Sequence, residues 1–405
     1  MDKHINRFIK VFPWYSGLTA DLLFYIAIDT LFLTIVKNFS AAQIVSLSSF
    51  AQFACIALQF PVLFIIKRIG NTASTRLGAI CLLISAILIT VGKSYYAVLL
   101  GRLFHDVSVI FKTASFVALE NNLDLIGNRK EFVRLRASAN TIYAVLTMLI
   151  SFVASYMFNL YNYLPMIGCI IACAIGVVLA FLMKDCSDYN NITYKKESKE
   201  KVKIHFSKFI ITAIAVYSLF YPVVNNGQTD GKLFIQQQAL LDFNVDDTTL
   251  IIGAIVCVSR IIRVISNVGF AKLYYRYQEK IGIALPVMLS SSIALMLFGS
   301  FIPQVVVKMV VMGLGYTVIL FARDPFKLYM QDVIFENTPK EQHQTLLTML
   351  EFGVKITTAT MGLGYSAILL SYPMSVVMAI MLAVSTVTIA LSVKLYRMVL
   401  IEKQV

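Results

Sequence analysis

Twelve apolar runs, each long enough to cross a bilayer, dominate this sequence. They fall near 14–36, 41–66, 75–92, 95–119, 138–159, 164–183, 207–243 (interrupted), 248–271, 281–301, 304–322, 345–370 and 373–393. A bilayer's hydrocarbon core is about 30 Å thick, so a spanning helix takes about 20 apolar residues. A segment alone in lipid must satisfy its own backbone groups, and each run is therefore read as a helix. Composition agrees: 58% of the 405 residues are apolar and only 14% are charged. No stretch is long and polar enough for an independent soluble domain. The expected fold class is an all-α integral membrane protein with 12 transmembrane helices in two six-helix bundles.

The formal net charge is +13. In a soluble protein that excess points to nucleic acid, but here the basic residues mark topology. With both termini in the cytoplasm, 26 of the 35 Lys and Arg fall in cytoplasmic loops and tails, and four fall on the opposite side. That asymmetry follows the positive-inside rule. It predicts a multi-pass protein of the bacterial cytoplasmic membrane with no nucleic-acid partner. Met1 to Lys10 is polar, and the apolar run after it is long enough to span, so no cleavable signal peptide is expected. Cys55, Cys81, Cys169, Cys173 and Cys257 lie within apolar runs and Cys186 in a basic loop. Their spacing suggests neither a metal site nor a disulfide framework.

The segment Lys184–Lys208 is the one long polar connection. It divides the chain into an N-terminal bundle (1–184), a cytoplasmic linker (185–206) and a C-terminal bundle (207–405). A surface helix is expected near Tyr194–Phe206. The sequon Asn191-Ile192-Thr193 is cytoplasmic in this topology and is read as a chance match. The halves look like repeats at an offset of 206 residues. Asn38 before helix 2 matches Asn244 before helix 8, and Arg102 in helix 4 falls on Lys308 in helix 10. Parallel halves of this kind are a known transporter architecture.

These features together resemble the major facilitator superfamily over nearly the whole chain. The superfamily signature G-x-x-x-D-R-x-G-R aligns with Leu63-Phe64-Ile65-Ile66-Lys67-Arg68-Ile69-Gly70-Asn71, where Arg68 and Gly70 match. The glycine, aspartate and final arginine positions hold Leu63, Lys67 and Asn71 instead. In the second half, Gly269-Phe270-Ala271-Lys272-Leu273-Tyr274 keeps a glycine but no aspartate. Leu100-Gly101-Arg102-Leu103-Phe104 fits the arginine signature of helix 4, so the resemblance gives Arg102 that role. The drug–proton antiporter, sugar-porter and oligopeptide-symporter signatures are not visible. The resemblance implies a major facilitator fold but no substrate branch.

A charge at the bilayer centre costs roughly 2.5–3.5 kcal/mol on insertion scales, so each one calls for a reason. At about 100° per residue, Arg102, His105, Asp106 and Lys112 fit one arc of about 120° on helix 4. They are read as a polar stripe facing the cavity, against the alternative of a self-neutralising Arg102–Asp106 pair at i,i+4. Helix 1 carries Asp21 and Asp29. Asp29, in the apolar stretch Tyr25–Thr30, is the stronger candidate proton carrier. Helix 8 carries Arg260 and Arg263. Glu351 and Lys355 on helix 11, with Arg323-Asp324 at the end of helix 10, suggest an inner gate, as do Arg68 and Gly70. A straight helix over 207–243 would exceed about 50 Å. Asn225-Asn226-Gly227-Gln228-Thr229-Asp230-Gly231 in its middle therefore reads as a break or an early end, exposing backbone to cargo. Met312-Gly313-Leu314-Gly315-Tyr316 recurs as Met361-Gly362-Leu363-Gly364-Tyr365, read as close helix packing.

The substrate-binding residues expected are then Arg102, His105, Asp106, Lys112, Asn225, Asn226, Gln228, Asp230 and Arg260. Asp29 and Asp21 would couple protons. The reading is a monomeric secondary transporter of an amphipathic or anionic small molecule or peptide, proton-coupled, working by alternating access, with export favoured. It needs no cofactor, and its partners are that substrate, membrane lipid and protons. A membrane sensor or scaffold with the same fold, and a lipid flippase, are the alternatives. No nucleophile–base–orienter set marks an enzyme. The topology is testable: cysteines introduced at Asn162 and at Tyr194 or Ser198 should be modified from opposite membrane faces, Asn162 from outside. Modification from one face would overturn the six-plus-six assignment.

Overall fold

The computed structural model describes residues 2–129, 131–186, 207–277, 280–339 and 342–402. Most of the expected linker (187–206), its surface helix, Lys130 and Lys340 lie outside these residues. So do the side chains of 267–273 in the second cytoplasmic loop signature. The described chain is helical throughout and forms twelve transmembrane helices. Helix α1 comes in two pieces, α1a (Asp2–Leu18) and α1b (Tyr25–Leu31), the latter continued by a π-helical turn at Phe32–Val36. The run Ala41–Val91 contains α2 and α3, which meet at Gly70. Then follow α4 (Tyr95–Leu125), α5 (Glu131–Leu160), α6 (Leu164–Leu182), α7 (Lys208–Asp242) and α8 (Val245–Tyr277). The chain closes with α9 (Ile281–Gly299), α10 (Val305–Asn337), α11 (His343–Ile368) and α12 (Met374–Glu402).

Several helices outrun their apolar stretches. α10 was expected to end near 322 and reaches Asn337; α8 reaches Tyr277 and α12 reaches Glu402. Hydropathy falls where lipid ends, but the i→i−4 hydrogen-bond ladder continues into water. Arg276, Lys327 and Lys394, read as loop residues from sequence, therefore sit on helical extensions. The same holds for the N-terminus. Instead of a polar tail before residue 14, α1a begins at Asp2, and Ile5, Phe8, Phe12 and Tyr15 form a fully buried stripe. That i, i+3, i+4 spacing packs against Leu119, Leu123 and Met183.

Three helices lack a long apolar window: α1, α4 and α11. α1 is interrupted, α4 carries a charged stripe, and α11 dilutes its apolar residues with Glu351, Lys355, threonines and glycines. The others present large apolar side chains outward, among them Phe60, Val178, Phe298 and Val310. In water such a surface would be a liability; in lipid it is the solvent contact.

By its contacts the chain divides into two units. One comprises Met1–Phe39 and Phe50–Glu197, and the other Ser40–Ser49 and Ser198–Val405. This division differs from the sequence boundaries in the first turns of α2. Ser40 opens that segment with a reciprocal capping box, its N–H donating to Gln43 Oε1 at 2.9 Å and its Oγ accepting from the Gln43 N–H at 3.3 Å. Asn244 caps α8 by accepting from the Asp247 N–H at 2.8 Å. Within the second unit Ser366 Oγ donates to the Ala42 carbonyl at 2.8 Å.

Gly70 stands at φ 81, ψ 169, a conformation that only glycine adopts readily, and it turns the chain from α2 into α3. α7 is one unbroken helix, contrary to the expected interruption at 225–231. Its polar residues are satisfied or buried by neighbours, and its two glycines serve packing. A Cβ at Gly227 would stand 3.3 Å from Ile319, and one at Gly231 would stand 3.2 Å from Met296. The break lies in α1 instead.

The twin Met-Gly-Leu-Gly-Tyr segments pack differently. In α10, Gly315 meets α9: an added Cβ would stand 2.7 Å from the Ser292 carbonyl oxygen and 3.1 Å from the Met296 nitrogen. In α11, Gly362 makes the close approach, to Ser49 of the Ser40–Ser49 segment, while nothing lies within 4 Å of a Cβ at Gly364. Gly315→Ala should therefore destabilise the protein by about 1–3 kcal/mol, the usual cost of overpacking. Gly364→Ala should be neutral. Thermal unfolding in detergent checks both, and equal effects would refute the assignment.

Candidate functional site

In the first unit the site is built where α1 breaks. Gly17 lies against Ile142, and Thr19 Oγ1 donates to the Tyr15 carbonyl at 2.7 Å. The Asp21 carboxylate accepts from the Leu22 N–H at 2.8 Å. Short polar side chains bonding to nearby backbone in this way compete with the helix and end it. The interruption exposes carbonyls at the end of α1a, and one is taken from across the bundle. Lys112 Nζ donates to the Ser16 carbonyl at 2.6 Å, placing a cation at a helix C-terminus.

The α4 stripe thus lies against the broken helix. His105 is buried between two carboxylates, with Nε2 3.0 Å from Asp21 Oδ1 and Nδ1 3.3 Å from Asp106 Oδ1. The two contacts make the His105 ring the bridge between Asp21 of the α1 break and Asp106 of α4. Arg102 lies within electrostatic reach of Tyr25, Asp106, Asp21 and Asp29. Asp29 is lone only in sequence. In space it faces Arg102, and its Oδ1 accepts from the Thr30 N–H at 2.6 Å. The unit's polar cluster thus sets Arg102, His105 and Lys112 among Asp21, Asp29 and Asp106.

The expected loop signature serves another purpose. Arg68 is exposed and its guanidinium lies 4.3 Å from the centre of the Phe64 ring. Asn71, at the signature's final position, donates to Asp185 Oδ2 at 2.8 Å, and Asn121 donates to the same atom at 3.0 Å. Thr72 Oγ1 accepts from the Asp185 N–H at 2.9 Å. Asn122 bonds the Lys184 carbonyl and the Cys186 N–H. These bonds tie the ends of α4 and α6 to the α2–α3 joint.

In the second unit the polar side chains of α7, α8, α10 and α11 converge. Gln228 accepts from Arg323 Nη1 at 3.3 Å, and its backbone carbonyl accepts from Tyr316 at 3.2 Å. Tyr221 donates to the Arg323 carbonyl at 2.6 Å. Arg263 forms a fork with Asp324, Nε to Oδ2 at 2.7 Å and Nη2 to Oδ1 at 3.2 Å. Arg260 stands one turn before Arg263, and its buried Nε has no hydrogen-bond partner. Arg323 feels the charges of both Arg260 and Arg263. Asn225 is half-buried on α7, and Asn226 Nδ2 donates to the Thr358 carbonyl at 3.4 Å.

Glu351 of the expected α11 pair also bonds across helices. Glu351 accepts from Lys327 of α10 at 2.6 Å and from Tyr217 of α7 at 3.4 Å, while Lys355 is half-buried one turn on. Lys327 escaped the sequence reading because the α10 extension did. The tyrosines Tyr217 and Tyr221 were visible as an i,i+4 pair on α7 but carried no charge to mark them. Asp230 is buried on α7 with its Oδ2 unpartnered.

No protein-family model matches the sequence, and no curated protein does. Solved structures do. The chain is similar to the nucleoside transporter NupG, with a TM-score of 0.75 and 13% identity over 97% of this chain and 98% of that one. It is similar to a bacterial homologue of the iron transporter ferroportin in its inward-facing state, with a TM-score of 0.67 and 14% identity over 96% and 98%. A POT family transporter in complex with 5-aminolevulinic acid gives a TM-score of 0.67 and 10% identity over 96% and 94%. Likeness that spans both chains at such low identity is likeness of fold: this protein has the twelve-helix, two-bundle fold of the major facilitator superfamily.

Proposed function

We propose that this protein is a secondary active transporter that moves a small anionic solute by alternating access, coupled to protons. The observation that carries the reading is the arginine excess of the second unit. Arg260, Arg263 and Arg323 gather around a single carboxylate, Asp324, which Arg263 already holds in a fork. Arg323 bonds the neutral amide of Gln228 and has Asp324 only as a charge at longer range, and Arg260 has an unpartnered Nε. A cation away from water is costly unless an anion joins it. The planar guanidinium fork suits a carboxylate or phosphate. Asn225, Asn226, Gln228 and the hydroxyls of Tyr217, Tyr221 and Tyr316 offer neutral polar contacts around it.

In the first unit Asp21 and Asp29 are assigned the coupling proton. They share Arg102 with Asp106, so protonating either weakens the hold on Arg102 and frees it for cargo. Asp324 and Glu351, tied to Arg263 and Lys327, would act as inner latches whose release accompanies the change of state. Transport as the class of activity draws support from the similar folds, which belong to a nucleoside transporter, a bacterial homologue of an iron transporter and a POT family transporter in complex with 5-aminolevulinic acid.

The test uses purified protein and a panel of probes. Simple carboxylates and organophosphates should raise its melting temperature, whereas uncharged nucleosides should not. Arg260→Gln and Arg323→Gln should each weaken the best anion by roughly 10–100-fold, the equivalent of one charge-assisted hydrogen bond. Arg323→Lys should not restore it, because the fork is lost. Proteoliposomes then show whether that anion accumulates under an imposed pH gradient. Stabilisation by neutral nucleosides with unchanged affinity in both arginine variants would overturn the anion reading.

A further inference from the structure

Helix α1a has a second face that the break and the polar cluster do not use. Its buried stripe of Ile5, Phe8, Phe12 and Tyr15 is matched on the far side by Lys3, Arg7, Lys10 and Trp14, all four exposed. At about 100° per residue these four fall within an arc of about 60°. Three cations thus stand in file along two turns of helix, and Trp14 follows one turn on. Among the described residues none of the three cations has a carboxylate partner.

An open groove of about 760 Å³ runs between this face and the end of α6. Lys3, Asn6, Arg7, Lys10 and Val11 line it from α1a, and Leu182 lines it from α6. None of these six side chains is acidic. Leu182 is the last residue of α6, a helix apolar enough throughout to cross a bilayer. It also ends a stripe. Ile167, Ile171, Ile175, Val178 and Leu182 are all exposed and share an arc of about 80°. The stripe is about 22 Å long, more than one leaflet of a ~30 Å hydrocarbon core.

The groove therefore joins a track for hydrocarbon to a set of cations. Tryptophan favours the membrane–water interface, where its ring sits among the head groups, and Trp14 stands one turn from Lys10. The cations call for an anion, and the α6 stripe calls for a hydrocarbon tail on the same molecule. A phospholipid with a net negative head group has both. The Arg7 fork suits phosphate oxygens, Lys3 and Lys10 add point charges, and the Asn6 amide can donate to a head-group oxygen. A zwitterionic head group would bring an ammonium of its own into the same cations. The segment that follows α6 in sequence, 187–206, has five lysines against three acids, so it brings no net negative charge to compete.

We propose that the groove between α1a and the end of α6 binds an anionic phospholipid, with its phosphate among Lys3, Arg7 and Lys10 and an acyl chain along the α6 stripe. The site belongs to the outer surface of the first unit and shares no residue with the arginine cluster of the second. It is independent of any cargo, so its test stands apart from the anion test above. The lipid would brace α1a, the piece of the first helix that precedes the break.

Trp14 is the chain's one tryptophan, so its fluorescence reports on this groove alone. The protein is reconstituted in phosphatidylcholine vesicles, and phosphatidylglycerol or phosphatidylcholine with brominated acyl chains is titrated in, since bromine quenches a tryptophan that it touches. Brominated phosphatidylglycerol should quench at the lower mole fraction, with a relative binding constant about tenfold or more above that of phosphatidylcholine. Lys3→Gln, Arg7→Gln and Lys10→Gln should each cut that preference about two- to fivefold, and the triple variant should bring it to parity. Quenching by brominated phosphatidylcholine should be the same in the triple variant and the parent, which shows α1a still in place. Removing three exposed cations elsewhere, by Arg68→Gln, Lys394→Gln and Arg397→Gln together, should leave the preference intact. Leu182→Gln should weaken it by spoiling the apolar wall, and excess soluble glycerol phosphate should not reverse the quenching. Parity of the two lipids in the parent, a preference that survives the triple variant, or equal loss in the distant triple variant would overturn the proposal. So would reversal by glycerol phosphate, which marks a soluble-phosphate site, or no effect of Leu182→Gln.

Discussion

Lipid offers no hydrogen bonds, and the rest of this structure depends on that fact. Each spanning segment must satisfy its backbone internally or from a neighbour. Among the described residues the other eleven helices do so by running on unbroken. Helix α1 does not, and the consequences of its break order the first unit. The Ser16 carbonyl is met by Lys112, and Asp21 bonds the Leu22 N–H as the chain restarts. Asp21 then draws His105, which draws Asp106. One local failure of the helix ladder thus requires a polar stripe on α4, and the stripe brings Arg102 to the same place.

The two units handle charge in opposite ways. In the first, cations and carboxylates interleave, so a single proton added or lost changes the balance seen by Arg102. In the second, Arg260, Arg263 and Arg323 gather near Asp324, which forks with Arg263, while Arg323 bonds the amide of Gln228. Lys327 pairs with Glu351 and Lys308 with Asp242 in the same unit. Charge that is uncompensated in a membrane protein's interior points to something that arrives to compensate it.

Much of the architecture was legible in the sequence because its causes are local. Apolar length sets a span, and it does not depend on what lies beside it. The 100° periodicity of α4 likewise sufficed to place Arg102, His105, Asp106 and Lys112 on one face. Helix ends were less legible: hydropathy marks where lipid stops, and α8, α10 and α12 continue beyond it on hydrogen bonds alone. Asn225–Gly231 misled for a related reason. Two glycines and five polar residues look like a break, but against Ile319, Met296 and Thr358 they are the small and polar surface that lets neighbouring helices close on an intact α7.

By itself the sequence determined the membrane as solvent, the number of crossings and the set of side chains able to do chemistry. Only the tertiary structure decided which of them meet. Asp29 appears alone in its apolar stretch and finds Arg102 in space. Glu351 has Lys355 one turn away and is bonded by Lys327 and Tyr217. Asp324 is next to Arg323 in the chain and forks with Arg263. Each outcome turns on distance between helices that are far apart in sequence. Electrostatic and hydrogen-bond energies fall steeply over a few ångströms, so packing, which no single segment encodes, chose the partners.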